Sequence, residues 1–324
     1  MGADDVTPLL DRFTADVGRV LPLVAVWAHG SLALGDFQPG RSDFDLVALI
    51  GAAVTSGQRE KLQRMHEALL AELPLADQVH CVYVVRAELA DPARVHLTWA
   101  HGELFDRILS PVSRRELRQG GLCLFGPPPA GVVPALTDAE LADYIRADLR
   151  DFWYPHTGVR RLWQNHIWVD LGLLVLARAG VTLRDGRLIT KREALTELAD
   201  LGAPADVLRD IYQRRYETAP PMSAQWRDRR GLLARTFVRA GIERLLALPR
   251  LLGDRLLVGP GARSQEPGAS LGQQRQVPRR QLQGLEENPD APPDRARARR
   301  GPRRAGGGPG TPAGRTGVGG QLAE

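Results

Sequence analysis

Two aspartates, Asp43 and Asp45, stand one residue apart in the stretch HGSLALGDFQPGRSDFDLVALI, where an apolar run begins. The run FDLVALI reads as a strand, and residues i and i+2 of a strand point to the same face. Two carboxylates held side by side repel each other unless a cation sits between them. Mg2+ takes one or two carboxylates together with phosphate oxygens. Upstream, Gly30 and Ser31 follow a second apolar run, LVAVWAH, and open a helix. That placement aims backbone N–H groups and the Ser31 hydroxyl at an anion. A phosphate cradle beside paired metal-binding acids describes a site for a Mg2+-bound nucleoside triphosphate. Phosphoryl and nucleotidyl transfer need just that combination of positioning and charge neutralisation. A D-x-D pair alone is common on loops. The order strand, Gly-Ser, loop, D-x-D, strand is what carries the reading.

The elements that must position these residues follow from periodicity. Val6, Leu9, Leu10, Phe13 and Val17 repeat at helical spacing behind a Thr7-Pro8 start signal. LVAVWAHG and FDLVALIG predict two strands, SGQREKLQRMHEALLAEL a helix, and VHCVYVV a third strand. HLTWAHGELFDRIL reads as helical or irregular, and LCLFGPPP as a short extended piece stopped by prolines. Beyond it the pattern is helical, with capping boxes at TDAE (137–140) and TKRE (190–193). The fold class expected is α+β. A small mixed-sheet domain over 1–130 precedes an α-helical bundle over 131–250, with a Pro/Gly/Arg-rich disordered tail over 251–324.

Charge is unevenly spread. The chain of 324 residues has net charge +5, and residues 251–324 hold 12 arginines and 7 acids, so residues 1–250 are neutral overall. A neutral body is a poor tracker of nucleic-acid backbones, and only the basic tail offers weak contacts of that kind. No signal peptide or 20-residue apolar span is evident, which points to the cytoplasm and away from a membrane. Cys81 and Cys123 each lie in an apolar run and are expected to be buried, reduced core residues. There are 41 arginines but only two lysines, Lys61 and Lys191, so each lysine invites attention.

Gly30, Ser31, Asp43 and Asp45 resemble the signature of the nucleotidyltransferase superfamily that includes DNA polymerase beta. The ordered pieces HGSLALGDFQPGRSDFDL, CLFGPPPA, ITKREAL and QRRYE resemble bacterial adenylyltransferases acting on streptomycin and spectinomycin, over residues 20–250. The resemblance implies ATP and Mg2+ as cofactors, with Asp43 and Asp45 holding the metal and Ser31 the triphosphate. It implies Lys191 on phosphate and Tyr216 against the nucleotide. The family's third carboxylate, the usual general base, falls at His80, with Asp77 and Glu88 as nearby substitutes. An aminoglycoside-like acceptor, being cationic, wants carboxylates and aromatic faces, for which Asp170, Asp151 and Trp99 are candidates. Asp170 sits inside an apolar helical run and needs either an arginine, such as Arg160 or Arg161, or a cationic ligand. Transfer of AMP to a small-molecule hydroxyl is the activity implied. The alternatives are modification of a protein side chain and a catalytically weak binding relative.

Overall fold

The structure, a computed structural model, describes residues 6–248; the tail expected from residue 251 lies outside the described residues. Helix α1 (Thr7–Val20) leads into strand β1 (Leu23–His29), the short helix α2 (Gly30–Ala33) and strand β2 (Phe44–Ile50). Helix α3 (Ser56–Glu72) then crosses over to β3 (Val79–Val85). Strands β4 (Val95–Ala100) and β5 (Glu103–Ile108), helix α4 (Pro111–Gly120) and strand β6 (Leu122–Phe125) complete the sheet half. The six strands run in the order β5-β4-β3-β2-β1-β6. Only β2 and β3 are parallel, which is why they need the α3 crossover; the other neighbours are antiparallel.

Both faces of this mixed sheet are covered, so its central strands are continuously apolar. Phe44, Leu46, Ala48 and Ile50 pack with Cys81 and Tyr83 against α1 and α3. The alternate residues Val47, Leu49, Val82 and Val84 pack with Ala25 and Trp27 against Leu117 of α4. All five apolar positions expected to line the first helix are buried.

Residues 95–108 form a β-hairpin rather than the helical or irregular segment expected. His101 and Gly102 both take positive φ, 54° and 79°, in a two-residue turn whose twist matches the flanking strands. Asn-Gly is the usual sequence signal for such a turn, and His-Gly hides it. Cys123 is also corrected: it is exposed on edge strand β6, while Cys81 is buried as expected.

The helical half comprises α5 (Asp138–Asp148), a π-helical turn (Leu149–Trp153), α6 (Tyr154–His156), α7 (His166–Asp185), α8 (Lys191–Asp200), α9 (Ala205–Tyr216) and α10 (Ala224–Ala247). The two capping boxes expected are present, Thr137 with Glu140 and Thr190 with Glu193. Each satisfies two N–H groups that a helix start otherwise leaves bare. Helix α7 is long and apolar enough to cross a membrane, and here it is the central helix of the helical core. The α+β class expected is the one observed.

Candidate active site

Three adjacent strands bring their polar residues to one level of the sheet. In the β1–β2 pair His29 lies opposite Asp45, and in the β2–β3 pair Asp45 lies opposite His80. These residues alternate with the core residues of the α1/α3 face, so they point to the opposite face, the one that α4 partly covers. Asp43 stands just ahead of β2 with its side chain 51% exposed, and its Oδ1 is 3.8 Å from His80 Nε2. The ring of His101, from the hairpin turn, packs edge-on against His80 at 4.5 Å.

Gly30 sits at φ 64°, where α2 leaves β1. A Cβ on Gly30 would run into Oδ2 of Asp45. Glycine is therefore required twice, for its positive φ and for the close approach of the carboxylate. Ser31 follows in the first turn of α2 and is half-buried.

Desolvation raises the carboxyls of both Asp43 and Asp45 above the ordinary range; the charges of Asp43 and Glu116 push Asp45 further up, and that of Asp77 does the same to Asp43. Lys191 and His101 partly offset this at Asp43, and His29 and His80 at Asp45. Lys191 opens α8 and feels both acids; burial, then the charge of Arg215, lowers it. Burial also lowers His80, and takes His101 down to about 4. Two desolvated, mutually repelling acids beside a cation-rich helix start form an arrangement that an added divalent cation would relax.

Among the described residues no three His, Cys, Asp or Glu side chains form a ready-made metal cluster. The donors present are two carboxylates with an imidazole alongside. That set suits Mg2+, which completes its shell with water and substrate oxygens rather than with a full protein cage.

Behind Asp45 lies a buried ionic chain that sequence reasoning missed. His29 is 8% exposed and Glu116, on α4, is 7% exposed. Glu116 accepts from His29 Nδ1 at 2.9 Å and from Arg178 Nη2, on α7, at 3.0 Å. Burial alone would raise Glu116, but His29 and Arg178 outweigh it and hold the carboxyl low. Burial alone would lower His29, but the hydrogen bond to Glu116 and the charges of Asp45 and Glu116 leave it raised. The one sequence signal was the position of His29 directly before Gly30. Nothing in the sequence pairs Glu116 with it across 87 residues.

A second junction joins the halves at Asp36, which is 4% exposed. It accepts from the backbone N–H of Arg192 at 3.2 Å and from the Tyr216 hydroxyl at 3.0 Å. The Arg192 guanidinium lies over the Tyr216 ring at 4.0 Å. Tyr216 is thus close to Lys191, with one face covered and its hydroxyl engaged.

The expected acceptor residues are not gathered at this site. Trp99 is 1% exposed, in the core on the other face of the sheet, stacked on His66 at 4.1 Å. Strand alternation sends it there: its pairing partner Cys81 points the same way, opposite to His80. Asp170 does have an arginine partner, but it is Arg214, bidentate at 2.6 Å, together with Arg230, not Arg160 or Arg161. Asp151 is exposed and paired with its neighbour Arg150 at 2.7 Å. Of the substitutes for His80, Glu88 lies beyond the far end of β3, bonded to Arg94 at 2.7 Å. Asp77 is exposed in the turn before β3, on the Asp43 side.

No protein-family model matches the chain, and no curated protein matches it. Its fold is similar to the crystal structure of spectinomycin adenyltransferase AAD(9) from Enterococcus faecialis with ATP and spectinomycin. The TM-score is 0.56 at 12% identity, covering 72% of this chain and 97% of that one. The chain thus shares the fold of that adenyltransferase structure over the part that is covered.

Proposed function

We propose that this chain is a nucleotidyltransferase that moves AMP from ATP to a hydroxyl of a small acceptor molecule of the aminoglycoside-like class. The observation that carries the reading is the alignment of His29, Asp45 and His80 on three adjacent strands, with Gly30 against Asp45 and with Asp43 and Lys191 beside them. An adenyltransferase fold supports it.

In this reading Asp43 and Asp45 would hold Mg2+, which when bound neutralises phosphate charge and polarises the α-phosphorus. Ser31 and the N–H groups of α2 cradle the triphosphate. Lys191 reaches a phosphate oxygen and draws the departing pyrophosphate away from Asp43. The acceptor hydroxyl attacks the α-phosphorus, the bond to the bridging oxygen of pyrophosphate breaks, and the hydroxyl proton passes to His80 Nε2. Burial keeps that imidazole neutral and therefore able to accept it. His101 packs on the His80 ring and fixes its orientation.

Labelled ATP and Mg2+ incubated with the protein and a panel including spectinomycin and streptomycin test the reading. Pyrophosphate release with a labelled acceptor, abolished by Asp43→Ala, is the expected result. If the wild-type protein neither binds the triphosphate nor releases pyrophosphate with any acceptor, the reading is wrong.

A further inference from the structure

Lys191 is held by its neighbours in an unusual way. Two residues before it, the carbonyl of Ile189 accepts from Arg178 Nε at 2.9 Å. One residue after it, the N–H of Arg192 donates to Asp36 at 3.2 Å. Asp36 belongs to the loop that leads to Asp43. Arg178 is bonded in turn to Glu116, and Glu116 to His29, the cross-strand partner of Asp45. The start of α8 is therefore tied to the sheet from both sides. One of the two ties ends on the residue opposite the metal-binding acid.

We propose that Glu116 is a positioning residue that fixes the spacing between Asp45 and Lys191 across the two halves of the molecule. Both of its oxygens are committed, one to each half. Arg178 completes the link, because its Nη2 faces Glu116 while its Nε holds the backbone ahead of Lys191. Burying His29 and Glu116 with a partly buried Arg178 costs more than an apolar packing of the same volume would, so stability alone does not account for the chain. What the chain provides is a register between the two halves, alongside the second polar junction at Asp36 with Arg192 and Tyr216. The Nδ1–H of His29 must point at Glu116, since an ionised carboxylate only accepts. That fixes the ring against Asp45. The proposal rests on the nucleotidyl-transfer reading only for the roles of Asp45 and Lys191.

The test is a double-mutant cycle on the full chain, read by the ring-nitrogen NMR signals of His29 and by calorimetric binding of Mg-ATP. Arg178→Gln changes only the helical half, yet the His29 ring signals should shift. Glu116→Gln should shift them as well, and the double variant should match Glu116→Gln alone. Arg178→Lys keeps a cation for Glu116 and should return the His29 signals towards wild type. Mg-ATP affinity should fall about ten-fold in either single variant and no further in the double, as residues acting through one link behave. His29 signals unmoved by Arg178→Gln, or single effects that simply add, would overturn the proposal. Thermal melts identify a variant that fails to fold, in which case Arg178→Lys carries the comparison. A wild-type protein that binds no Mg-ATP would sink the nucleotidyl-transfer reading, and the His29 signals would still decide the role of Glu116.

Discussion

In the helical half, Asp170 and Asp210 share Arg214 and Arg230, and each carboxylate has its cations within hydrogen-bonding distance. In the sheet half, no arginine among the described residues forms an ion pair with Asp43 or Asp45, and desolvation raises both. The first cluster closes on itself with two acids and two guanidinium groups. The second is offset only in part, by Lys191, His101 and Arg215 at Asp43 and by His29 and His80 at Asp45. A polar cluster that satisfies itself serves packing, and one left open waits for a partner. By that criterion the paired acids of the sheet are the proposed site. Asp170, for all its oddity in an apolar helix, belongs to the scaffold.

Substitution on the two sides should separate these roles. Asp45→Asn should lower turnover by about 10⁴-fold, since it removes a charge needed only when the metal and triphosphate are bound. The same change relieves repulsion with Asp43, so the melting temperature should hold or rise. Asp170→Ala should do the reverse. It leaves Arg230, 1% exposed, short of a carboxylate, and the fold should lose about 3 kcal/mol while the remaining folded molecules keep their turnover. Steady-state rates and denaturant titrations on both variants decide the matter. A loss of stability in Asp45→Asn, or of turnover alone in Asp170→Ala, would erase the distinction.

Acid should sharpen the contrast through three particular buried groups, two histidines of the sheet half and one carboxyl of the helical half. In the sheet half, burial lowers His66 to about 3 and His96 to about 4. Both are neutral when folded, so below the unfolded value of 6.5 the unfolded chain takes up protons that the fold refuses. Stability then falls by about 1.4 kcal/mol per pH unit per group, from pH 6.5 down towards each folded value. In the helical half, burial raises Asp148 to about 7. Its folded form holds a proton that the unfolded chain gives up above 3.8, so its contribution grows as pH falls from 7 to 4. Amide exchange followed from pH 7 to pH 5 should show β3 and β4 loosening while α5 gains protection relative to them. Equal loss in both halves would contradict this assignment.

How much of this was legible in the sequence depends on the range of the interactions. Gly30, Ser31, Asp43 and Asp45 fall within 16 residues, and the strand period alone puts the acids on one face. The capping boxes and the buried stripe of α1 are local as well, and they were read correctly. The hairpin at 95–108 was missed because its turn uses His101-Gly102, a positive-φ pair without the usual asparagine. Trp99 was assigned to a cleft because composition says nothing of which face a residue takes until strand register is known. His29, Glu116, Arg178 and Asp36 were missed for another reason: each has its partner in a remote element, and no spacing rule spans that distance. Arg214 and Arg230 escaped notice as partners of Asp170 for the same reason, in a chain where arginines are everywhere.

Tyr216 lies on the seam between the two halves, and it offers the finest test of the contrast. The family resemblance assigns its ring to the nucleotide. In the structure its hydroxyl donates to Asp36 at 3.0 Å, and Arg192 covers one ring face at 4.0 Å. Tyr216→Phe keeps the ring and the Arg192 contact and removes the hydroxyl. Asp36 retains the Arg192 N–H and nearby Arg215, so it is not left bare, and the loss should be about 1 kcal/mol of stability. Because the same hydroxyl helps seat the start of α8, the KM for triphosphate should rise a few-fold with little change in kcat. A rise of more than ten-fold at unchanged stability would instead put the hydroxyl on the nucleotide. Tyr216 would then belong with the open cluster of the sheet, not with the ties that hold the halves together.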